Sequence, residues 1–330
     1  MLSIRTSRIP HTLLLAAGAL AFPAIAAQPS EWSPGKPVRM IVGFPPGGAT
    51  DLVARIVQPK MGAGLGQQVI VDNRPGANGV ISNELLARAE PDGLTTGFTH
   101  IGTMIISPAI QKVPYDRFND FASIGQMVSL QNLIVTHPTL PVKNLKELIA
   151  LAKSRPGELN YATSGIGSPG HLATGLLESM TGIRMSHVPY KGGGPAMVDT
   201  IAGHVTIFTS VISTGIPFVQ SGKVRGIAVT GDRRAEAIPN VLTVAEGGVK
   251  GYSATNWYGL MAPAKTPKNV IDRLNKELNA ALRAPEIVQQ LKDRGIDATP
   301  GTPEDYTNFI RAEDKKWTPL IKKLDIKDAS

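Results

Sequence analysis

The sequence predicts an α/β protein that is folded as two lobes. Short apolar, strand-like segments alternate with helix-like segments along the chain, which is the pattern of proteins with parallel sheets. The chain has 330 residues, which is longer than a chain that folds around a single hydrophobic core usually is. The alternation also restarts in a middle block. We therefore expect a first lobe made of residues 27–129 and 253–330 and a second lobe made of residues 130–252, with a hinge of two crossing segments near Val128 and Ala254.

The N-terminus has the pattern of a cleavable signal peptide. Arg5 and Arg8 precede an apolar stretch, residues 13–21, that is short for a membrane span, and residues 24–26, Ala-Ile-Ala, form a typical cleavage site. The chain contains no cysteine, so neither a lipid anchor on cysteine nor a disulfide framework is possible. We expect residues 1–26 to be removed on export and the mature protein to reside in the periplasm without a membrane anchor.

The charge of the chain excludes one large class of partners. The net charge of +8 becomes +6 once Arg5 and Arg8 are removed. The remaining lysines and arginines are dispersed and have few aromatic neighbours, which is not the pattern of a nucleic-acid-binding surface. The excess of positive charge indicates a weak preference for anionic ligands.

The first glycine-rich motif joins a strand to a helix. An apolar run, residues 40–42, ends at Gly43, and the loop of residues 44–51 precedes an apparent helix, residues 52–61. The first amide groups of such a helix have no partner within the helix and attract anions, as does the helix dipole. The spacing approaches that of a P-loop, but Ala49 stands where the phosphate-binding lysine would be, so a nucleotide triphosphatase is not indicated. A turn with a purely structural role is the alternative.

The following elements repeat the alternation. We predict a strand at residues 69–71, a polar turn at 73–79, a helix at 81–89, and strands at 95–99 and 133–136.

Capping residues mark several helix starts. Asn144, followed three residues later by a glutamate, predicts the start of a helix. A strand at residues 160–163 leads into the second glycine-rich loop, where Ser168 is the expected N-cap before Pro169. Farther along we predict a helix opened by Pro195, strands at 205–208 and 226–230, and helices that begin at Thr266-Pro267 and Thr302-Pro303.

The second motif, residues 164–171, is open to several interpretations. Its glycines have the spacing of a dinucleotide fingerprint, but no acidic residue follows about 20 positions later to bind a ribose. Ser164 or Ser168 with His171 could form the nucleophile and base of an exported hydrolase, although neither serine lies in a G-x-S-x-G elbow. A helix start that caps itself or binds a small anion is favoured. The histidines, His100 included, lack metal-ligand spacing and are interpreted as satisfied or surface residues, so neither a metal nor another cofactor is expected.

Taken together, these stretches resemble the substrate-binding proteins of tripartite tricarboxylate transporters, the Bug-type periplasmic receptors. The resemblance covers essentially the whole mature chain, and the order and spacing of its pieces are specific. The pieces are VGFPPGGATD at residues 42–51, VDNRPGANG at 71–79, PGELNYATSGIGS at 156–168, VPYKG at 188–192 and WYGLMAP at 257–263.

The resemblance implies a type II periplasmic-binding-protein (Venus flytrap) fold and reversible capture of a small carboxylate or related metabolite. It also implies delivery to the permease subunits of a tripartite tricarboxylate transporter. In the family, the two glycine-rich loops hold one carboxylate of the ligand. By this match the ligand-binding residues are Phe44, Gly48, Ala49, Thr50, Asp51, Ser164, Gly165 and Ser168, together with Tyr190 and Lys191.

One position departs from the family pattern. Where the family commonly has an aspartate near the pocket, this chain has Thr209. The loss of that negative charge removes a partner for an ammonium group, so we expect a neutral or purely acidic ligand at a site that includes Thr209.

The sequence therefore predicts a monomeric, non-enzymatic binding protein without a cofactor. Two alternatives remain open at this point: the exported serine hydrolase, and a sensor module that presents its ligand to a signalling partner without a dedicated permease.

Overall fold

Ten strands form one continuous sheet in the described part of the chain. The computed structural model describes residues 1–2 and 32–323, so the predicted signal peptide lies, apart from its first two residues, outside the described range. The strand order is β2-β1-β3-β9-β4-β7-β5-β6, and both β8 and β10 pair with β4. The strands are β1 (Val38–Val42), β2 (Val69–Asn73), β3 (Thr95–His100), β4 (Phe121–Thr136), β5 (Asn160–Thr163), β6 (Ser186–Pro189), β7 (Ile207–Val211), β8 (Arg225–Val229), β9 (Thr255–Pro263) and β10 (Ile296–Ala298).

Helices connect most of these strands, as the predicted alternation requires. They are α1 (Ala49–Leu65), α2 (Val80–Ala87), α3 (Ser107–Ile110), α4 (Leu145–Ser154), α5 (Pro169–Thr181), α6 (Gly193–Ala202), α7 (Ile212–Gln220), α8 (Lys268–Arg283), α9 (Pro285–Lys292) and α10 (Pro303–Lys323). Two single turns, one 3-10 helical (Ala77–Gly79) and one π-helical (Gly102–Ile106), precede α2 and α3.

The α/β fold class is confirmed, but the sheet is mixed rather than parallel. β1 pairs in parallel with β2 and β3, and β5 pairs in parallel with β6 and β7. The strands between these two sets, β4 and β9, are antiparallel to each other and to their other neighbours. The short apolar run at residues 133–136 is only the end of β4, a strand of 16 residues.

β4 connects the two halves of the sheet. Its first part pairs with β9, and its last residues, from Asn132 on, pair with β7. The two expected hinge segments lie side by side here, because Val128 pairs with Tyr258 and Gln131 pairs with Thr255. The described residues from Trp32 onward belong to one compact unit, and the division into two lobes stays a prediction.

The helix starts follow local signals closely. The Asn144 side chain accepts a hydrogen bond from the Glu147 amide at 3.0 Å, and the Thr302 hydroxyl accepts one from the Asp305 amide at 3.0 Å, which confirms both caps. The predicted cap at Thr266 is wrong: α8 begins at Lys268, and the Thr266 hydroxyl donates back to the Pro263 carbonyl. α6 begins at Gly193, two residues before the predicted start, because Gly192 with φ of 121° turns the chain into the helix.

Three hydrophobic clusters fill the fold. One packs α1 and α8 against β1 and β9, and another packs α6 and α7 against β7 and the end of β4. The third includes Tyr161 and Tyr252 together with Trp257 and Trp317, so it joins segments from both sides of the β4–β9 pair.

Candidate functional site

A cavity of about 1070 Å³ opens where the loops after β1, β5 and β6 approach one another. Open α/β folds place ligands at such carboxyl ends of parallel strands. From the first half of the sheet the walls include Phe44, the start of α1 and His100, and from the second half they include Ser164, Pro169, residues 191–195 and Ser210.

The loop between β1 and α1 presents an uncapped helix start to this cavity. α1 begins at Ala49, three residues earlier than predicted, and its N-cap residue Gly48 supplies no side-chain hydrogen bond. The amide groups of the first turn therefore lack a cap, and Gly48, Ala49 and Thr50 all line the cavity. Free amides at a helix start, aided by the helix dipole, suit a carboxylate.

Asp51 also lines the cavity, and its carboxylate holds the loop. It accepts hydrogen bonds from the Gly47 amide at 2.9 Å, from Arg55 Nε at 2.9 Å and from Asn73 Nδ2 at 3.0 Å. Asn73 also donates to the Phe44 carbonyl at 2.9 Å, so both ends of the loop are tied. Burial alone would raise the pKa of Asp51, but hydrogen bonds from Arg55, Gly47 and Asn73 outweigh it and lower the pKa.

Four buried polar atoms with no hydrogen-bond partner belong to residues that line the cavity. They are Thr50 Oγ1, His100 Nε2, Ser210 Oγ and Ser213 Oγ. Buried polar groups are nearly always satisfied, because an unsatisfied group costs about 1–3 kcal/mol. Their clustering at one cavity indicates a place where a polar ligand supplies the missing partners.

His100 lines the cavity, although its position in the sequence did not predict a role in the site. Its side chain is buried, and Nδ1 accepts a hydrogen bond from the Gly102 amide at 3.0 Å. Burial lowers the pKa of His100 to about 4, against a weaker opposite effect of the Asn78 backbone. The ring is therefore neutral at pH 7 with its proton on Nε2, and this N–H makes no hydrogen bond of good geometry within the protein. The interpretation of His100 as a satisfied or surface residue is thereby corrected.

The second glycine-rich loop contributes less to the cavity than expected. Ser164 and Pro169 line it, whereas Gly165 and Ser168 do not. The Ser168 hydroxyl is fully buried and accepts a hydrogen bond from the His171 amide at 3.3 Å, so it caps α5 as predicted. The first turn of α5 is thus partly satisfied, unlike that of α1.

The second uncapped helix start at the cavity belongs to α6, whereas the sequence predicted it at α5. Gly193 lies against Ser210 and Thr214, and residues 191–195 line the cavity. The N-cap of α6 is Gly192, which has no side chain to accept a hydrogen bond. The first amides of α6 are therefore a second uncapped set at this cavity.

The remaining predicted residues divide between the cavity and the core. Lys191 lines the cavity, whereas the Tyr190 hydroxyl donates to Asp199 at 2.7 Å outside it. Thr209 is buried, and its hydroxyl accepts a hydrogen bond from the Thr174 hydroxyl at 3.0 Å. The next residue on β7, Ser210, faces the cavity, because successive side chains of a strand point to opposite faces.

The geometry does not favour the hydrolase alternative. His171 Nδ1 accepts a hydrogen bond from the Gly167 amide at 3.3 Å, and its ring stacks on His187 with 3.9 Å between the ring centroids. Burial lowers the pKa of His171 to about 4. Among the described residues no imidazole is hydrogen-bonded to the hydroxyl of Ser164 or Ser168, so no nucleophile–base pair is assembled.

A hydrogen bond links the turn before α2 to the second glycine-rich loop. Asn78, in the turn before α2, donates from Nδ2 to the Gly167 carbonyl at 2.8 Å. Ala77 and Asn78 both have positive φ, 45° and 51°. Such conformations are costly for residues other than glycine and often occur at functional sites.

Comparison with known proteins gives consistent results. The family model described as "Tripartite tricarboxylate transporter family receptor" matches residues 53–326. Protein BugT of Bordetella pertussis is 32% identical over 317 residues, which are 96% of this chain and 96% of that protein. The solved structure of the periplasmic binding protein BugD is 34% identical with a TM-score of 0.83, covering 89% of this chain and 99% of BugD.

A second solved structure contains a ligand. Rpa4515 of R. palustris, solved with adipate, is 31% identical with a TM-score of 0.85, covering 88% of this chain and 98% of Rpa4515.

Proposed function

Because the chain belongs to the tripartite tricarboxylate transporter receptor family, whose relatives are solute-binding proteins, we propose that it captures a small carboxylate or related metabolite and delivers it to the membrane permease of such a transporter. The observation that carries this proposal is the convergence of the uncapped α1 start with unpartnered, buried polar atoms at one cavity.

In this proposal the ligand carboxylate lies at the start of α1. It accepts hydrogen bonds from the first amides of α1, from the Thr50 hydroxyl and from His100 Nε2–H. Ser210 and the α6 start approach from the opposite wall, and Lys191 supplies positive charge at the edge of the cavity. The Asp51 carboxylate keeps the loop in its binding conformation, which lowers the entropy cost of capture.

Closure of two lobes completes the mechanism. Residues 27–129 and 253–330 would move relative to residues 130–252 about the paired β4–β9 segments, with the Asn78–Gly167 hydrogen bond forming on closure. The adipate complex of Rpa4515 supports a carboxylate as the ligand class.

The setting of the protein is part of the same proposal. We infer export by cleavage of the 1–26 signal peptide and action in the periplasm as a monomer without a cofactor. In the described residues no helix is long and apolar enough to cross a membrane.

Native mass spectrometry of periplasmic material, followed by calorimetry with the released compound, tests the proposal. We expect a bound carboxylate that rebinds reversibly and is recovered unchanged. Release of a hydrolysed product from candidate esters would instead support the hydrolase, and saturable binding of only neutral or cationic compounds would contradict carboxylate capture.

A further inference from the structure

The cavity continues well beyond the polar end described above. The α1 residues along its wall run from Ala49 to Ala63, which at 1.5 Å per residue is about 21 Å of helix. The total volume, about 1070 Å³, is at the upper end of the roughly 300–1,000 Å³ found for sites of drug-sized ligands. A short dicarboxylate would leave most of this space empty.

The distant part of the cavity, which we call the apolar arm, is lined by side chains from four helices. Its residues are Leu52, Ile56 and Pro59 of α1, Met197 and Val198 of α6, Pro217 and Phe218 of α7, and Ile287 of α9. Val198 is 65% exposed, so this part of the arm is accessible to solvent.

Two of these residues are prolines inside helices. Pro59 and Pro217 lie within α1 and α7, where proline removes a backbone hydrogen bond and normally costs about 3 kcal/mol. Both line the cavity, so α1 and α7 each present a rigid apolar ring to it.

The net charge of the side chains around the cavity suits a ligand with one negative charge. Among the residues that the structure describes, five charged side chains line it, and two pairs cancel: Arg55 with Asp51 at 2.9 Å and Lys60 with Glu286 at 3.1 Å. The fifth is Lys191, which leaves a net charge of +1. His100 adds none, because its ring is neutral. A second carboxylate placed in the apolar arm would find no unpaired cation among the described lining residues, because Lys60 is already paired with Glu286.

We propose that the ligand is a monocarboxylate with an extended apolar body, its carboxylate at the α1 start and its body in the apolar arm. The inference rests on the proposed function and narrows its substrate class. Binding energy then comes from apolar burial in addition to the polar contacts.

Calorimetry with straight-chain monocarboxylates of two to ten carbons, each paired with the dicarboxylate of equal length, tests this. We expect the dissociation constant to fall about threefold to fourfold for each added CH₂ until the arm is full. We also expect each longer dicarboxylate to bind at least tenfold more weakly than its monocarboxylate. A dissociation constant independent of chain length, or tighter binding of the dicarboxylates, would overturn the inference.

Substitution at the exposed wall gives a second measurement. Val198→Asp should weaken binding of decanoate at least tenfold while leaving acetate or propionate within about twofold, because only the long chain reaches the arm. Leu85→Asp is the matched control, since Leu85 is an exposed apolar residue on α2, 40% exposed and outside the cavity. Equal losses for long and short acids in Val198→Asp would contradict the arm.

Neutral analogues separate this inference from the proposed function. If decanamide binds as tightly as decanoate, carboxylate capture fails, yet a dependence on chain length would still support the apolar arm. If all carboxylates bind equally regardless of length, carboxylate capture stands and the apolar arm falls.

Discussion

At the scale of the residue, the buried Asp51 carboxylate holds the first glycine-rich loop in place. Asp51 was expected to bind ligand because it stands in the glycine-rich motif. In the structure both of its oxygens accept hydrogen bonds from within the protein, from Gly47, Arg55 and Asn73. An acidic side chain beside a carboxylate site is compatible with binding only because these donors neutralise it.

Asp51→Asn should therefore weaken ligand binding and lower stability by about 1 kcal/mol, a modest value because the Arg55 partner is half exposed. The carboxylate stabilises the fold above its ordinary pKa of 3.8, and this contribution is lost as the pH falls through the lowered pKa. Calorimetry and urea unfolding measure both effects. Asp72→Asn is the control, because Asp72 pairs with Arg39 and Arg74 away from the cavity; similar losses of affinity in both variants would contradict the role given to Asp51.

His100 gives the molecule a measurable pH dependence. Its pKa of about 4 lies below the 6.5 of an unfolded histidine, so the unfolded chain binds a proton first as the pH falls. The contribution of His100 to the free energy of unfolding should be fully present above pH 6.5. It should decrease by about 2–3 kcal/mol as the pH falls toward 4. Urea unfolding at pH 7 and pH 5 should show a smaller decrease in His100→Gln than in wild type. An equal decrease in both proteins would contradict the assignment to His100.

At the scale of the element, two helix starts of similar sequence have different tasks. Both α1 and α5 follow a strand and a glycine-rich loop. The α1 start has a glycine N-cap and leaves its amides open to the cavity, whereas the α5 start is closed by Ser168. A capped helix start has less to offer an anion, because the cap already uses one of its donors.

These roles predict opposite effects of two alanine substitutions. Thr50→Ala should weaken carboxylate binding about tenfold by removing a donor to a charged group, with little change in stability because the hydroxyl has no partner in the fold. Ser168→Ala should cost about 1 kcal/mol of stability and change affinity less. Calorimetry and thermal unfolding of both variants provide the measurement. Equal losses of affinity would show that both helix starts hold the ligand, as the sequence first suggested.

At the scale of the whole molecule, the long strand β4 is shared by the two halves of the sheet, as the proposed closure requires. It pairs with β9 over its first part and with β7 and β8 over its last part, so one strand belongs to both halves of the sheet. The register of β4 with β9 shifts at two places, between Ser123 and Gly125 and between Gln126 and Val128. Such irregularities bend a strand locally. The second one lies beside Val128, where we expect a crossing between the lobes, and is therefore a suitable position for a hinge.

Small-angle scattering should show a smaller radius of gyration when the carboxylate identified by mass spectrometry is bound. Asn78→Gly removes the Asn78–Gly167 hydrogen bond while tolerating the positive φ, so we expect ligand release to be about threefold to tenfold faster. Asn119→Gly is the control, because Asn119 bonds Asp116 in an exposed turn. An unchanged radius at saturation would indicate a rigid receptor, and an unchanged release rate would show that this contact does not hold the closed state.

The sequence by itself determined the fold class, most helix starts and the two glycine-rich loops. These features depend on neighbours within a few positions: an apolar run, a glycine that turns the chain, and a Ser, Thr or Asn that caps a helix. Asn144, Ser168 and Thr302 cap their helices as predicted for this reason.

Only the tertiary structure decided which side chains reach the cavity. The Asp51 carboxylate accepts a hydrogen bond from Asn73, which is 22 residues away in the chain. Asn78 donates a hydrogen bond to Gly167, which is 89 residues away. Ser210 instead of Thr209 faces the cavity because the pairing of β7 within the sheet sets which side of the strand is turned inward. A strand pattern fixes that side chains alternate, but the face that meets the ligand is chosen by packing against segments distant in the chain.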